Sequence, residues 1–194
     1  MVFVHKEKTM TVYFDANIWI NYAWGFFNES KKIKSRTQEL FHKIESEEID
    51  VVISTFVNAE ISNHFKDWIL MKKSIEDGFS YREFQKIRNK YKLENDEIEK
   101  IDNVAKKILQ LSWVTLLEKE ELSEENLGVF TQLTSQYSID SIDALHGIMA
   151  AKTNCRYLIT NDEIFIRQLN FALRENDLIN EFSAITSKNF INLK

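Results

Sequence analysis

Thr9-Met10-Thr11-Val12-Tyr13-Phe14-Asp15-Ala16-Asn17 is the stretch on which the fold turns. Its first six residues are mostly β-branched, aromatic or apolar without clean alternation, the pattern of a strand covered on both faces. The run stops abruptly at Asp15, and from Asn17 onward the pattern becomes helical. The same succession repeats down the chain. Ile33, Leu40, Phe41 and Ile44 share one helical face, and Ile49 to Ile53 is a second short apolar strand. Ile61, Phe65, Trp68 and Ile69 make one apolar stripe; Ile98, Ile101, Val104, Ile108 and Leu111 make another, with a polar helical segment around Tyr81 to Tyr91 between them. Trp113 to Leu117 predicts a third strand, Glu124 to Gln136 a helix, Ile142 to Lys152 an alanine-rich helix, Arg156 to Thr160 a fourth strand and Ser183 to Thr186 a fifth.

Strands alternating with helices through short connections predict an α/β fold, with a central, mostly parallel sheet and helices on both faces. The chain has 194 residues and is 44% hydrophobic, enough to bury one sizeable core. With no proline and only 4 glycines it offers no linker, repeat or low-complexity tract. We therefore expect one domain over residues 1–194, with residues 61–111 as an enlarged helical crossover.

The single cysteine, Cys155, cannot close an internal disulfide, and no zinc-ligand spacing accompanies it, so a reducing, cytoplasmic setting is expected. The amino terminus MVFVHKEKTM is too short in apolar run and too charged for a signal peptide, and no stretch approaches the roughly 20 apolar residues of a membrane span. A net charge of -5 is the wrong sign for gripping nucleic acid by counterion release alone. A nucleic-acid partner would have to meet a local basic patch or a bound cation.

In a doubly wound sheet the loops beyond the carboxyl ends of the strands converge on one crevice. Acidic residues recur at those positions. Asp15 follows the first strand, Asp162 follows Tyr157-Leu158-Ile159-Thr160, and Glu60 stands about one helical turn beyond Ser54-Thr55. Asp143 lies in the first turn of the alanine-rich helix, with Asp140 three residues before it. Carboxylates gathered in one crevice repel one another unless a divalent cation occupies the middle, and oxygen ligands favour Mg²⁺ or Mn²⁺ over zinc. Such a site suits phosphodiester hydrolysis, because the cation lowers the pKa of a bound water and stabilises charge on the phosphorane.

Four segments then carry a family resemblance: Asp15-Ala16-Asn17-Ile18-Trp19-Ile20; Ser54 with Asn58-Ala59-Glu60-Ile61; Asp143-Ala144-Leu145-His146 leading to Ala150-Ala151; and Leu158-Ile159-Thr160-Asn161-Asp162. In that order they resemble the four acidic blocks of the PIN-domain ribonucleases, across nearly the whole chain. The resemblance implies a three-layer α/β/α sandwich, Mg²⁺ or Mn²⁺ dependence and endoribonuclease activity on RNA. It implies that Asp15, Glu60, Asp143 and Asp162 are the acidic tetrad, with Asn17 and Thr160 as supporting polar residues. Many members of the family are VapC-type toxins that pair with an antitoxin protein, and many dimerise. Residues 61–111 depart from the small toxins, which lack so long a middle stretch.

Each residue also has a plainer reading. Asp140, Asp143 and Asp162 could cap helices, and capping and metal binding need not exclude each other. Glu60 could be a solvated helix residue, although Ala59 and Ile61 beside it suggest a face near the core. His146 and His64 read more readily as packed or solvated residues than as phosphate contacts. Arg82, Lys86, Arg88, Lys90 and Lys92, interleaved with Tyr81, Phe84 and Tyr91, form either an RNA-stacking patch or a solvated helix face. Trp19, Trp24, Phe26 and Phe27 serve either the core or a homodimer interface.

Rival functions separate on single features. A phosphatase using an aspartate nucleophile of the haloacid dehalogenase kind needs a second aspartate where this chain has Asn17. A nucleotide switch needs a glycine-rich phosphate loop, and none follows any strand. A non-catalytic binding module with the same fold would carry the repulsion of four carboxylates without a cation to relieve it.

Overall fold

The structure, a computed structural model, describes residues 10–27, 35–117, 122–175 and 182–193, with the side chains of Phe26 and Ser35 excepted. Its centre is a five-stranded sheet of β1 (Thr11–Phe14), β2 (Asp50–Ile53), β3 (Val114–Leu116), β4 (Tyr157–Ile159) and β5 (Ser183–Ile185), in the order β3-β2-β1-β4-β5. Every pairing is parallel. Between the strands run α1 (Ala16–Phe27), α2 (Ser35–Ser46), α3 (Thr55–Glu76), α4 (Tyr81–Ile87), a 3₁₀ turn at Arg88–Lys90, α5 (Asn95–Leu109), α6 (Glu124–Ser135), α7 (Ser141–Lys152) and α8 (Glu163–Glu175), with α9 (Ser187–Ile191) after β5. The result is a helix–sheet–helix sandwich, as the strand and helix succession predicts.

Val12, Tyr13, Phe14, Val51, Ile53, Leu158, Ile159 and Ala184 are fully buried, so the inner strands are covered on both faces. From the helices, Trp19, Ile44, Val57, Ile61, Phe65, Ile108, Leu169 and Phe190 close over them. Helix starts are set by short polar side chains. Ser54 accepts from the Val57 N–H at the start of α3, Asp140 from Ile142 N–H at α7, and Thr186 from Asn189 N–H at α9, each satisfying an orphan amide of the first turn. Ser80 with Glu83 closes a reciprocal capping box at α4.

The strand order places a topological switch between β1 and β4. From β1 the chain steps outward through β2 to β3, then returns to the other side of β1 for β4 and on to β5. Connections leaving β1 and β4 diverge there and open a crevice at their carboxyl ends. Asp15 follows β1 directly and Asp162 lies just past β4, so the fold itself puts two acidic residues on the lips of that crevice.

Some details differ from the periodicity. Ile98 was grouped with the buried stripe of α5 but is 51% exposed, whereas Ile101, Val104 and Ile108 are buried. Spacing identifies a helix face but not how far along it the covering layer extends. The polar segment 81–91 is not one helix: it breaks after Ile87 into the 3₁₀ turn, and Phe84 is its buried anchor. Trp19 is core, packed against Phe14, Phe41 and Trp113. Trp24 and Phe27 are half-buried beside Phe65 and Trp68. Thr9, Ile33 and the Phe26 side chain, named above, lie outside the described residues. No helix among the described residues is long and apolar enough to cross a membrane.

The two isoleucines of α5 make a direct test of this packing. Ile101→Ala is expected to cost about 2–4 kcal/mol in denaturant unfolding, while Ile98→Ala stays within about 0.5 kcal/mol. Equal effects would contradict the placement of α5.

Candidate metal centre

Asp15 enters the crevice because the β ladder ends on it: its N–H donates to Ile159 O at 3.1 Å, the last bond between β1 and the β4 strand. The carboxylate is buried, at 6% exposure, and its Oδ2 is held from two sides. Thr160 Oγ1 donates to it at 2.6 Å and Asn17 Nδ2 at 2.5 Å. Asn17 Nδ2 also reaches Thr160 Oγ1 at 2.7 Å, and Asn17 Oδ1 accepts from Asn161 N–H at 3.1 Å. This clamp ties the ends of β1 and β4 together and leaves Asp15 Oδ1 facing inward, 3.7 Å from His146 Nε2. At Asn17, the position where an aspartate-nucleophile phosphatase needs its second carboxylate, the amide serves as a brace.

Glu60 comes from the second turn of α3, whose start is fixed by Ser54 at the end of β2. Its side chain is 36% exposed and its Oε2 hydrogen-bonds His146 Nε2. Asp143 sits in the first turn of α7, half-buried. Asp162 caps α8, its Oδ1 accepting from Ile164 N–H and Phe165 N–H, each at 2.9 Å. Asp140 is exposed and caps α7 through Ile142 N–H at 3.0 Å. The capping readings of Asp140 and Asp162 are therefore correct as far as they go. Asp162 combines the cap with a place beside the crevice.

The groups act on one another. Burial, then the charges of Asp15 and Asp162, push the Asp143 carboxyl up to about 7. Burial raises Asp15 as well, against the lowering effect of His146 and of the Thr160 hydroxyl. For His146 burial favours the neutral ring, but the hydrogen bond to Glu60 and the charges of Asp15, Glu60 and Asp143 outweigh it and raise its pKa. Asp15, Glu60 and His146 each present a ligand atom, all within 4.8 Å of one another. A buried carboxylate, a second carboxylate and an imidazole converging in this way are a donor set a divalent cation fits, since its charge offsets both the burial and the repulsion of the ionised groups.

His146 is packed, as its plainer reading has it, and the packing brings it into the crevice. It is completely buried, and Tyr13 Oη lies 2.9 Å from its Nδ1 with Ser54 Oγ a further 2.6 Å beyond. The spacing Asp143-x-x-His146 puts both on one face of α7, which was the available signal. Tyr13 and Ser54 carried none that set them apart from a core aromatic and a helix cap. Beside Asn161 a cleft of about 440 Å³ is lined by Asn21, Arg36, Thr37 and Ser187 among others. The basic residues Arg82, Lys86, Arg88 and Lys90 are on α4 and the 3₁₀ turn, elements that carry none of the four carboxylates. Arg88 pairs with Asp67 at 2.6 Å, seven residues and so roughly 10 Å of helix rise beyond Glu60.

All three raised groups bind protons more tightly in the folded chain than in the unfolded one. Stability of the metal-free protein is therefore present at low pH and lost as pH rises, for Asp143 between about 4 and about 7. Thermal unfolding in chelator should show a melting temperature falling from pH 5 to pH 8. Asp143→Asn should flatten that slope and stabilise the metal-free chain at pH 8 by on the order of 1 kcal/mol, after allowance for solvent screening. An unchanged slope would mean that Asp143 does not feel its neighbours.

Comparison with known proteins agrees with this geometry. No curated protein matches the sequence. Among solved structures, that of VapBC2 from Rickettsia felis bound to a DNA fragment from their promoter superposes with a TM-score of 0.45 at 15% identity, covering 91% of this chain and 98% of that one. A likeness of that degree carries no inference about activity or partner. The sequence model of the PIN domain, in contrast, matches residues 12–169, a span that runs from β1 into α8 and includes all four carboxylates, and the chain belongs to the PIN-domain family.

Proposed function

We propose that this chain is a metal-dependent endoribonuclease that hydrolyses RNA phosphodiester bonds, with Asp15, Glu60, Asp143 and Asp162 as its acidic tetrad. The observation that carries the reading is the convergence of these residues on the β1–β4 switch point of a PIN-domain chain, where burial and then the charges of Asp15 and Asp162 push Asp143 up to about 7. The enlarged β2–β3 crossover departs from the small toxins of the family, and the nuclease reading does not depend on a toxin role or on an antitoxin partner.

Asp15, Asp143 and Asp162 would hold the cation directly, Asn17 and Thr160 fixing the Asp15 carboxylate through its Oδ2. Bound Mg²⁺ or Mn²⁺ supplies Lewis acidity and a water of lowered pKa. Glu60, partly open to solvent and turned by His146, is placed to accept the proton of the attacking water at a carboxylate oxygen. Asn21 and Arg36, in the cleft beside Asn161, offer hydrogen-bond donors and one positive charge to the flanking phosphates. Water and not the ribose 2′-OH is the nucleophile, so the products carry a 5′-phosphate and a 3′-hydroxyl.

Labelled single-stranded and structured RNAs incubated with Mn²⁺, with Mg²⁺ or with chelator are the test, with Asp15→Asn alongside. Cleavage should require the metal, disappear in Asp15→Asn, and leave 5′-phosphates. Asp15→Asn should still fold, and its metal-free form should be no less stable than wild type, because one repelling charge is gone. Termini with 2′,3′-cyclic phosphate would refute the mechanism. Silence on every RNA, together with no metal binding by calorimetry, would make the chain a binding module.

A further inference from the structure

The centre holds more than carboxylates. His146 is wholly buried, and its two ring nitrogens are treated differently. Nδ1 is tied back into the core: it lies 2.9 Å from Tyr13 Oη on β1, which lies 2.6 Å from Ser54 Oγ at the end of β2. Nε2 faces the crevice, hydrogen-bonded to Glu60 and 3.7 Å from Asp15 Oδ1. Three parts of the chain far apart in sequence thus orient a single ring.

Packing alone would be met by one partner per nitrogen; here Nε2 has, besides its partner Glu60, a second carboxylate oxygen only 3.7 Å away. A histidine that binds a metal uses one nitrogen as ligand and donates the N–H of the other to a partner that fixes the tautomer and the ring plane. Here Nδ1–H can donate to Tyr13 Oη, whose own hydrogen goes to Ser54 Oγ. That assignment leaves the Nε2 lone pair directed between Asp15 and Glu60. In the metal-free chain one hydrogen is shared between Nε2 and Glu60. A cation held at Nε2 would take the place of that hydrogen, which would leave to solvent as a proton.

We propose that His146 Nε2 is itself a ligand of the centre, added to Asp15 and the other carboxylates that hold the cation, giving a mixed imidazole–carboxylate site that takes a first-row transition divalent cation in preference to Mg²⁺. This rests on the reading above that the carboxylates hold a cation. Mg²⁺ demands oxygen ligands in near-octahedral array and keeps its waters, whereas an imidazole nitrogen adds affinity for transition ions. Tyr13 and Ser54 are positioning residues that act through the ring.

The metal-free full-length chain is titrated with Mn²⁺ and separately with Mg²⁺ by calorimetry, and the Mn²⁺ form is examined by pulsed EPR for coupling to ¹⁴N. Mn²⁺ should bind at least about tenfold more tightly than Mg²⁺, with ¹⁴N coupling present. His146→Gln should remove the coupling and weaken Mn²⁺ about tenfold or more, while Mg²⁺ changes much less. Tyr13→Phe should keep the coupling and lose part of the Mn²⁺ affinity, and His64→Gln, at an exposed position, should change neither. Bound Mn²⁺ without ¹⁴N coupling, or an unaltered Mn²⁺ to Mg²⁺ ratio in His146→Gln, would overturn the proposal and leave the carboxylate site standing. Failure of wild type to bind either ion would overturn both. If His146→Gln does not fold, the wild-type and His64→Gln spectra decide.

Discussion

Like charges crowded into a place with little water are the constraint around which this molecule is built. Asp15 is almost wholly removed from solvent, Asp143 is half-buried, and beyond the cost of burial the charge of Asp15 raises the energy of ionised Asp143, as that of Glu60 does for Asp15. A structure that only needed to be stable would put apolar residues there, since burying an uncompensated charge is costly. The chain instead surrounds the carboxylates with devices that hold them in place. Thr160 and Asn17 grip one oxygen of Asp15, the imidazole of His146 joins the other to Glu60, and the α8 start fixes Asp162 through two amides. Rigid supports around a repulsive centre are what a cation-binding site requires before the cation arrives.

The sheet makes this arrangement possible. With β1 in the middle and its neighbours reached by crossovers in opposite directions, the crevice forms at the carboxyl ends without any special loop. Helices α3, α7 and α8 begin at this end of the sheet, so the second turn of α3 carries Glu60 to it and the first turn of α7 carries Asp143, while Asp162 caps α8. The β2–β3 crossover is the elaborated part. It lengthens α3 to 22 residues and adds α4, the 3₁₀ turn and α5 along it, with Lys73 bridging to Glu97 at 2.6 Å.

Much of the architecture was legible because it depends on local pattern. Doubly apolar strands such as Val12 to Phe14 and Val51 to Ile53 occur only in sheets covered on both faces, and amphipathic periodicity located most helices. Failures fell where local pattern loses information. Ile98 continued a stripe that the packing does not, and the break after Ile87 has no proline or glycine to announce it. The carboxylates were visible because aspartate directly after a buried strand is hard to explain otherwise. The surroundings of His146 were not legible, because a single histidine on an alanine-rich helix has the same local appearance whether it packs, faces water or faces a crevice.

The amino-acid order by itself determined the strand and helix succession, the all-apolar character of the inner strands, and the four acidic blocks at strand ends and helix starts. Those are short-range properties, set by side-chain type, the 2.0 and 3.6 periodicities and the caps. Only the tertiary structure decided which polar groups meet. It set Tyr13, Ser54, Glu60 and His146 in one hydrogen-bonded series although up to 133 residues separate contacting partners, and it clamped Asn17 to Thr160 across 143. Such contacts depend on strand order and on helix placement over the sheet, which are settled by burying the whole core at once and leave no mark at any single position.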